Sequence, residues 1–362
     1  MVEEARVESV PGGRFTRRLT ARGAAVLVTA LSVVSVACSR EPREAVPPTS
    51  TSSVASTTTA TLPQDPPEGA ADPEDPQGDT SEPASSSTSA PGLGAGSSGG
   101  ARAFDPRGLV RVGSGGTDLA DKAGGELKGR MRGGVLVPFD LRREAWLRVL
   151  TPCERQLWIR EADAEPIGPF EVILDPGHGG ADEPGAVGPT GLTEAELNLD
   201  VALRAVKSLG REGVEAVLTR ELDYRATLAF RAAVASASGA GALVSIHHNA
   251  EPDGPRAGPG TETYYQARSE ASKRLAGILY EDVVAALSKF TADWVADRDA
   301  GAKFRLSSGE DYYGILRHAA NRNLPAVLAE LAFISNPTEE ALLRRPDVRE
   351  AQGTALSKGI LR

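Results

Sequence analysis

Val172-Ile173-Leu174-Asp175-Pro176-Gly177-His178-Gly179-Gly180 is the stretch from which the rest of the chain is read. Three apolar residues, two of them β-branched, run into an Asp-Pro-Gly stop. Val172 to Leu174 predicts a buried strand. Asp175 to Gly177 ends it, because proline lacks the ladder donor and glycine permits tight backbone geometry. His178 is thereby held at the carboxyl end of a strand, with glycines on either side that leave room for a ligand. In open α/β sheets that edge is where sites lie. A histidine in an ordinary loop is the plain alternative.

Working outward, residues 169–362 alternate strand and helix patterns, as α/β chains do. A Gly/Pro-rich loop, Ala181 to Leu192, leads to Thr193-Glu194-Ala195-Glu196, a capping box that opens a helix. Leu197, Val201, Leu203 and Val206 continue it at helical spacing to about Leu209. Val214 to Thr219 predicts a second strand and Thr227 to Ala237 a helix. Ala242 to His247, apolar almost throughout, predicts a central third strand. Thr261 to Tyr265 follows as a fourth, then a long amphipathic helix from Ser269 to Phe290. Gly314 to Arg317 reads as a fifth strand, Ala326 to Glu330 as a sixth, and the stretch from Thr338 as helical.

Four polar residues fall at comparable places in this pattern. His178 and His247 each follow a hydrophobic strand, Glu194 sits in the first turn of a helix, and Glu330 ends the strand Ala326 to Ala329. Ends of parallel strands converge on one sheet edge, so side chains far apart in sequence meet there. Two imidazoles and one carboxylate suit a three-ligand zinc site with an open fourth position for water. A second glutamate beside it suits a group that deprotonates that water. Each residue also has a plainer reading. Glu194 favours a helix N-terminus electrostatically, Glu330 would pair with an arginine, and His247 would be a satisfied core histidine. The chain has four histidines, His178, His247, His248 and His318, so any histidine metal site draws on these.

The segment also matches a family in extended strings: Leu-Asp-Pro-Gly-His-Gly-Gly (174–180), Gly-Ala-Val-Gly-Pro-Thr-Gly-Leu-Thr-Glu (185–194), Asn-Leu (198–199), Thr-Arg (219–220), Ser-Ile-His-His-Asn-Ala (245–250), Gly-Thr-Glu-Thr-Tyr-Tyr (260–265) and Pro-Ala-Val-Leu-Ala-Glu-Leu-Ala-Phe-Ile-Ser-Asn-Pro (325–337). Residues from about 170 to 362 resemble the zinc-dependent N-acetylmuramoyl-L-alanine amidases, in order and over most of the second half of the chain. The resemblance implies that His178, Glu194 and His247 ligate Zn2+ and that Glu330 is the catalytic carboxylate. It implies hydrolysis of the amide between the lactyl group of N-acetylmuramic acid and the L-alanine of the stem peptide. The implied fold is α/β, a central, mostly parallel twisted sheet with helices on both faces. Asp175, Arg220 and Asn249 match family positions as support. There are departures: His248 replaces a small residue, Ala332 replaces a glycine, Ser236-Ala237 replaces a stretch with Asn, and Asp297 to Asp311 is longer than the match. That last segment reads as a passive loop, with a lid as the alternative; His318 reads as surface. A catalytically silent wall-binding protein on the same fold, and a zinc peptidase or deacetylase, are the competing functions. Intact Glu194 and Glu330 count against the first, and the extended match against the second.

The upstream half reads differently. Arg14, Arg17, Arg18 and Arg22 form a basic region before an apolar run, Gly23 to Ala37, too short to span a bilayer comfortably. Ser35-Val36-Ala37-Cys38 resembles a bacterial lipoprotein box, so residues 1–38 are expected to be a signal with Cys38 lipidated; plain secretion and an uncleaved anchor are the alternatives. All three place the chain outside the cytoplasm, in the cell envelope. Residues 39–103, rich in Ser, Thr, Pro and Gly, cannot bury enough apolar surface to offset ordering entropy and predict a disordered linker. Residues 104–166 carry short apolar runs between Gly- or charge-rich turns and predict a small all-β domain. Its strings resemble bacterial SH3-like domains. Trp146 and Trp158 are expected in its core, with wall-binding aromatics as the alternative, and Cys153 is expected as a small buried residue. The net charge of -9 argues against nucleic acid as partner. Peptidoglycan is the expected partner, membrane attachment runs through Cys38, and a monomer is expected. Two cysteines exclude a disulfide framework and a CxxC zinc site.

Overall fold

The computed structural model describes residues 104–362. The signal of residues 1–38, the lipidation of Cys38 and the linker of residues 39–103 lie outside the described residues.

The first part is an antiparallel seven-stranded sheet. Its strands are β1 (Gly108–Val112), β2 (Thr117–Ala120), β3 (Leu127–Met131), β4 (Leu136–Arg143), β5 (Trp146–Leu150), β6 (Gln156–Arg160) and β7 (Ala164–Ile167), in the order β3-β2-β6-β5-β4-β1-β7. Side chains alternate across a strand, and β5 shows it: Leu147 and Val149 are buried, while Trp146 and Arg148 are half-buried. Trp158 alternates outward in the same way, so neither tryptophan is a core residue as expected. Arg160 instead stacks its guanidinium 5.0 Å from the Trp146 ring centroid. Cys153, expected as a small buried residue, is half-buried.

The second part is mixed α/β. Chain order is β8 (Val172–Pro176), α1 (Glu194–Arg211), β9 (Ala216–Leu218), α2 (Leu228–Ser238), β10 (Leu243–Asn249), β11 (Gly254–Pro255), β12 (Glu262–Tyr265) and α3 (Glu270–Leu287). It continues with β13 (Val295–Ala296), β14 (Ala302–Lys303), β15 (Leu306–Ser307), β16 (Glu310–Asp311), α4 (Gly314–Ala320), β17 (Ala326–Phe333), α5 (Pro337–Leu343) and α6 (Pro346–Leu361). The six-stranded sheet runs β14-β12-β17-β10-β8-β9. Within it β9, β8, β10 and β17 pair in parallel, β12 runs antiparallel to β17, and β14 runs parallel to β12. Across all described residues antiparallel pairings predominate, because the seven-stranded sheet contains no other kind.

Helices α1, α3 and α6 cover one face of the six-stranded sheet, packing on Val244, Ile246, Val327 and Ala329. Helices α2 and α4 cover the other, where Phe230, Val234, Ile315 and Leu316 meet Ile173, Leu243 and Leu328. β10 is covered on both faces, which is why its sequence is so uniformly apolar. The expected capping box forms its first half: the Thr193 hydroxyl accepts the Glu196 amide. The buried stripe of α1 is Leu197, Val201, Ala202, Ala205 and Leu209 rather than one through Leu203, which is 45% exposed.

Three expected elements differ. Gly314 to Arg317 opens helix α4 and is not a strand: four residues fit either period, and packing against α2 decides it. The helical stretch from Thr338 is two helices, since Pro346 cannot continue α5 and instead starts α6 at its first turn. The stretch 297–311 adds the edge strand β14 and the small β15–β16 hairpin.

A polar layer lies beneath α2. Asp175, almost fully buried, forms an ion pair with Arg231 at 2.8 Å and accepts hydrogen bonds from the hydroxyls of Thr219 and Ser245. Burial works to raise the Asp175 carboxyl; the Arg231 charge and these bonds outweigh it and hold it below the usual value. Asp175→Asn is expected to lower the unfolding free energy by about 3–5 kcal/mol, because Arg231 is left as an uncompensated buried charge; urea unfolding measures it. Since the carboxyl is depressed in the fold, wild type holds this contribution at neutral pH and loses it as pH falls below about 4. The variant is expected to lack that acid-side decline.

Candidate metal centre

Three strands deliver residues to one edge of the sheet. β8 runs into the turn that carries His178, β10 carries His247, and β17 carries Glu330. In the parallel pairing of β10 with β17, His247 stands directly beside Glu330. Glu194 arrives from the opposite side, in the first turn of α1.

The three residues expected as ligands come together. His178, Glu194 and His247 are all buried, and one ligand atom from each lies within 4.8 Å of the others. His178 Nε2 is 3.3 Å from one Glu194 oxygen, and His247 Nδ1 is 2.9 Å from the other. The two rings meet edge to face with centroids 5.1 Å apart. A tetrahedral ion with bonds of about 2.0–2.2 Å spaces its ligand atoms roughly 3.3–3.5 Å apart, so the cluster is of the right size and donor type. Burial alone would raise the Glu194 carboxyl. The His178 charge and hydrogen bonds from both imidazoles outweigh it and hold Glu194 well below the usual range.

Glycine makes this closeness possible. A Cβ at Gly177 would lie 2.0 Å from His247 Cε1, and one at Gly185 would lie 2.6 Å from both Glu194 Oε2 and His178 Cδ2. His178 itself has φ of 57°, in the left-handed region that non-glycine residues seldom enter. Two buried arginines hold its turn. Arg220 donates to the carbonyls of Pro176 (3.0 Å), Gly177 (2.9 Å) and Ala195 (2.8 Å). Arg231 donates to the carbonyls of Pro176 and His178, each at 2.7 Å. Burial, and then the neighbouring Arg231 charge, lower the Arg220 guanidinium to about 10, so it remains a cation at neutral pH.

A further set of bonds aims Glu194. Its Oε2 accepts the Ala186 amide at 2.9 Å; its Oε1 accepts the Asn198 side-chain amide and the His248 backbone amide, each at 3.2 Å. His248 points away from His247, into the helical layer. Burial pushes its imidazole down to about 3, so it is neutral. Asn198 uses its Nδ2 on Glu194, so its Oδ1 accepts from His248 Nδ1 at 2.8 Å, and Gln352 Nε2 donates to His248 Nε2 at 3.1 Å. His248 thus braces the residue that aims Glu194.

Sequence reading placed no role on Arg231, Asn198, Gln352 or Glu262. A lone arginine in the otherwise apolar Leu228-Ala229-Phe230-Arg231-Ala232-Ala233 was a usable signal for the first; Gln352 becomes visible only when α6 docks. Asn249 donates to Glu262 at 3.3 Å, and Glu262 stands beside Glu330 in the β12–β17 pairing. Glu262, Asp297 and Asp299 form a second acidic cluster. The Lys303 ammonium lies within it, 2.9 Å from Glu262 and 2.7 Å from Asp299. His318 is half-buried on α4, away from the strand ends.

Residues 172–362 match the Amidase_3 family, described as N-acetylmuramoyl-L-alanine amidase. A protein of Bacillus subtilis named YqiI and described as uncharacterized is 36% identical over 213 residues, covering 58% of this chain and 89% of that protein. The N-acetylmuramoyl-L-alanine amidase LytC of Bacillus subtilis is 32% identical over 191 residues, 52% of this chain and 34% of LytC. Among solved structures, the catalytic domain of CwlV, an N-acetylmuramoyl-L-alanine amidase from Bacillus (Paenibacillus) polymyxa, is 33% identical with a TM-score of 0.44, covering 53% of this chain and 96% of that one.

The glycine cradle is open to test. Gly177→Ala is expected to weaken binding of a divalent ion by more than about tenfold, since displaced ligands lose the geometry on which affinity depends. Gly210→Ala, where a Cβ meets nothing, is expected to bind as wild type. Isothermal titration with zinc, beside far-UV circular dichroism, separates the two.

Proposed function

The chain belongs to the Amidase_3 family and is an N-acetylmuramoyl-L-alanine amidase of the cell wall; on that footing we propose how it works. The bond cut is the amide joining the lactyl group of N-acetylmuramic acid to the L-alanine of the stem peptide. His178, Glu194 and His247 hold zinc, and Glu330 is the proton-transferring carboxylate. The observation that supports this best is the pairing of a buried His-Glu-His cluster with a carboxylate one strand away, Glu330 beside His247.

Zinc, when bound there, would supply the Lewis acidity that brings a water towards ionisation near neutral pH and polarises the scissile carbonyl. The chain's own residues do the rest. Glu194 contributes the negative charge that favours a cation over two neutral imidazoles, and the Asn198–His248 pair keeps its carboxylate aimed. Glu330 takes the proton from the attacking water and returns it to the leaving amine of L-alanine. Its half-buried position at the strand end keeps it in contact with the edge where substrate arrives.

We also propose that the seven-stranded domain, residues 104–166, is SH3-like, and that the protein acts outside the cytoplasm. Membrane attachment is assigned to acylation of Cys38. Cys38→Ala is expected to move the protein from the membrane fraction to the soluble one, because acyl chains supply the anchoring. Retention in the membrane fraction would exclude an acyl anchor at this residue.

The catalytic assignment is tested by two substitutions read together on purified peptidoglycan. His178→Ala is expected to leave zinc well below one equivalent. Glu330→Gln is expected to keep zinc and the fold, yet release peptides with a free L-alanine amine about 10²–10⁴-fold more slowly. Mass spectrometry of the digest and metal analysis give both readings. Turnover like wild type in Glu330→Gln would remove Glu330 from the mechanism, and loss of zinc there would make it a ligand.

A further inference from the structure

The seven-stranded domain does not hang from the catalytic part by a flexible joint. Its core residues Leu109, Val137 and Leu147 belong to the same apolar cluster as Phe230 and Val234 of α2, and β1 and β4 pack on that helix. The polar contacts around this seam gather on one short segment, Glu221 to Arg225, which follows β9.

That segment is gripped from two sides. On the first, Arg111 of β1 forms an ion pair with Glu221 at 2.6 Å. Arg132 donates to the Asp223 carbonyl at 2.7 Å and stacks 5.5 Å from the Tyr224 ring centroid. Gly134 lies against Leu222, where a Cβ would approach its Cδ1 to 3.3 Å. On the second side is the turn that carries His178. The Asp223 carboxylate accepts the Gly180 amide at 2.7 Å. Gly179 is pressed against the Tyr224 carbonyl, so that a Cβ there would stand 2.5 Å from it. Arg225 pairs with Glu183 at 2.7 Å, and the Glu183 carbonyl accepts the Gly179 amide at 2.9 Å. Thus a single layer of chain, residues 221–225, separates the all-β domain from the backbone that follows His178.

We propose that the all-β domain is a working part of the metal centre, with Arg111 and Arg132 as positioning residues that hold the His178 turn through residues 221–225. The physical need is visible in the turn. His178 sits in left-handed backbone geometry, which costs energy unless its surroundings enforce it. Arg220 and Arg231 enforce it from below, by bonding to the carbonyls of residues 176–178. Of the amides that follow, that of Gly179 donates to the Glu183 carbonyl and that of Gly180 to the Asp223 carboxylate, so the 221–225 layer and Glu183 hold this side of the turn. Removing the grip of the all-β domain on that layer loosens the turn on one side while leaving the catalytic core intact. The consequence is that this domain contributes to metal retention and turnover, whatever it binds in the wall.

The inference rests on the reading of His178 as a zinc ligand, and its test separates the two. The full-length Arg111→Ala/Arg132→Ala protein is compared with wild type and with Arg142→Ala. The last breaks an exposed pair with Glu161 in the same domain, away from the seam. The double variant is expected to exchange the amides of residues 179–183 several-fold faster by hydrogen–deuterium exchange. Zinc affinity, by competition with a chromogenic chelator, is expected to fall about tenfold, the lower end for groups that orient metal ligands. kcat should fall with KM little changed, and Arg142→Ala should match wild type in all three. Glu221→Gln, a milder change at the same contact, should give the same directions at smaller amplitude and serves if the double variant does not fold. Wild-type exchange at residues 179–183 together with wild-type zinc affinity would overturn the proposal. If wild type itself bound no zinc, the assignment of His178 would fall, while the exchange data would still decide whether the domain braces the turn.

Discussion

The buried ion pair between Asp175 and Arg231 is the constraint on which the site depends. A charge buried this deeply is tolerated only when it is paired and fully hydrogen-bonded. Asp175 meets that condition with Arg231, Thr219 and Ser245; Arg231 then has donors left over for the carbonyls of Pro176 and His178. The pair therefore couples three strands and α2 to the backbone of one turn. With Arg220 acting on the same turn, it supports the left-handed geometry that presents His178 to Glu194.

The cluster is asymmetric in a way that follows from the fold. His247 comes from a strand, where the ladder sets its backbone, His178 from a turn held by two arginines, and Glu194 from the first turn of a helix. A helix can slide over a sheet more easily than a strand can slip within it. Glu194 is accordingly held at its carboxylate, by the amides of Ala186, Asn198 and His248. The neutral, buried His248 fits that role: an imidazole with one donor and one acceptor bridges Asn198 and Gln352 with no charge to desolvate. The departure from a small residue at this position is thus absorbed by the helical layer and not by the substrate side.

The acidic cluster of Glu262, Asp297 and Asp299 illustrates the opposite outcome. It has the composition of a cation site, but Lys303 from the same insert occupies it, and Tyr264 donates to Glu262 as well. The longer 297–311 segment is therefore tied to the sheet edge by β14 and by this internal cation.

How much was legible follows from which interactions are local. The strand-stop at Asp175 to Gly177, the helix cap at Thr193, the central apolar strand and the four residues His178, Glu194, His247 and Glu330 are written in short-range pattern, because period, turn chemistry and capping are properties of neighbours in sequence. Gly314 to Arg317 and the Leu203 face of α1 were misread for the same reason: four residues carry too little period, and one position's exposure depends on what packs against it. The roles of Arg231, Gln352 and Arg132 belong to tertiary structure alone. Each acts on a partner 50 or more residues away, through a contact that exists only once α2, α6 and the all-β domain have docked. The sequence by itself marked out His178, Glu194 and His247 as a candidate donor set and gave most of the central strands and the helices beside them. Only the tertiary structure decided which buried charges and which neighbouring domain hold that donor set in place.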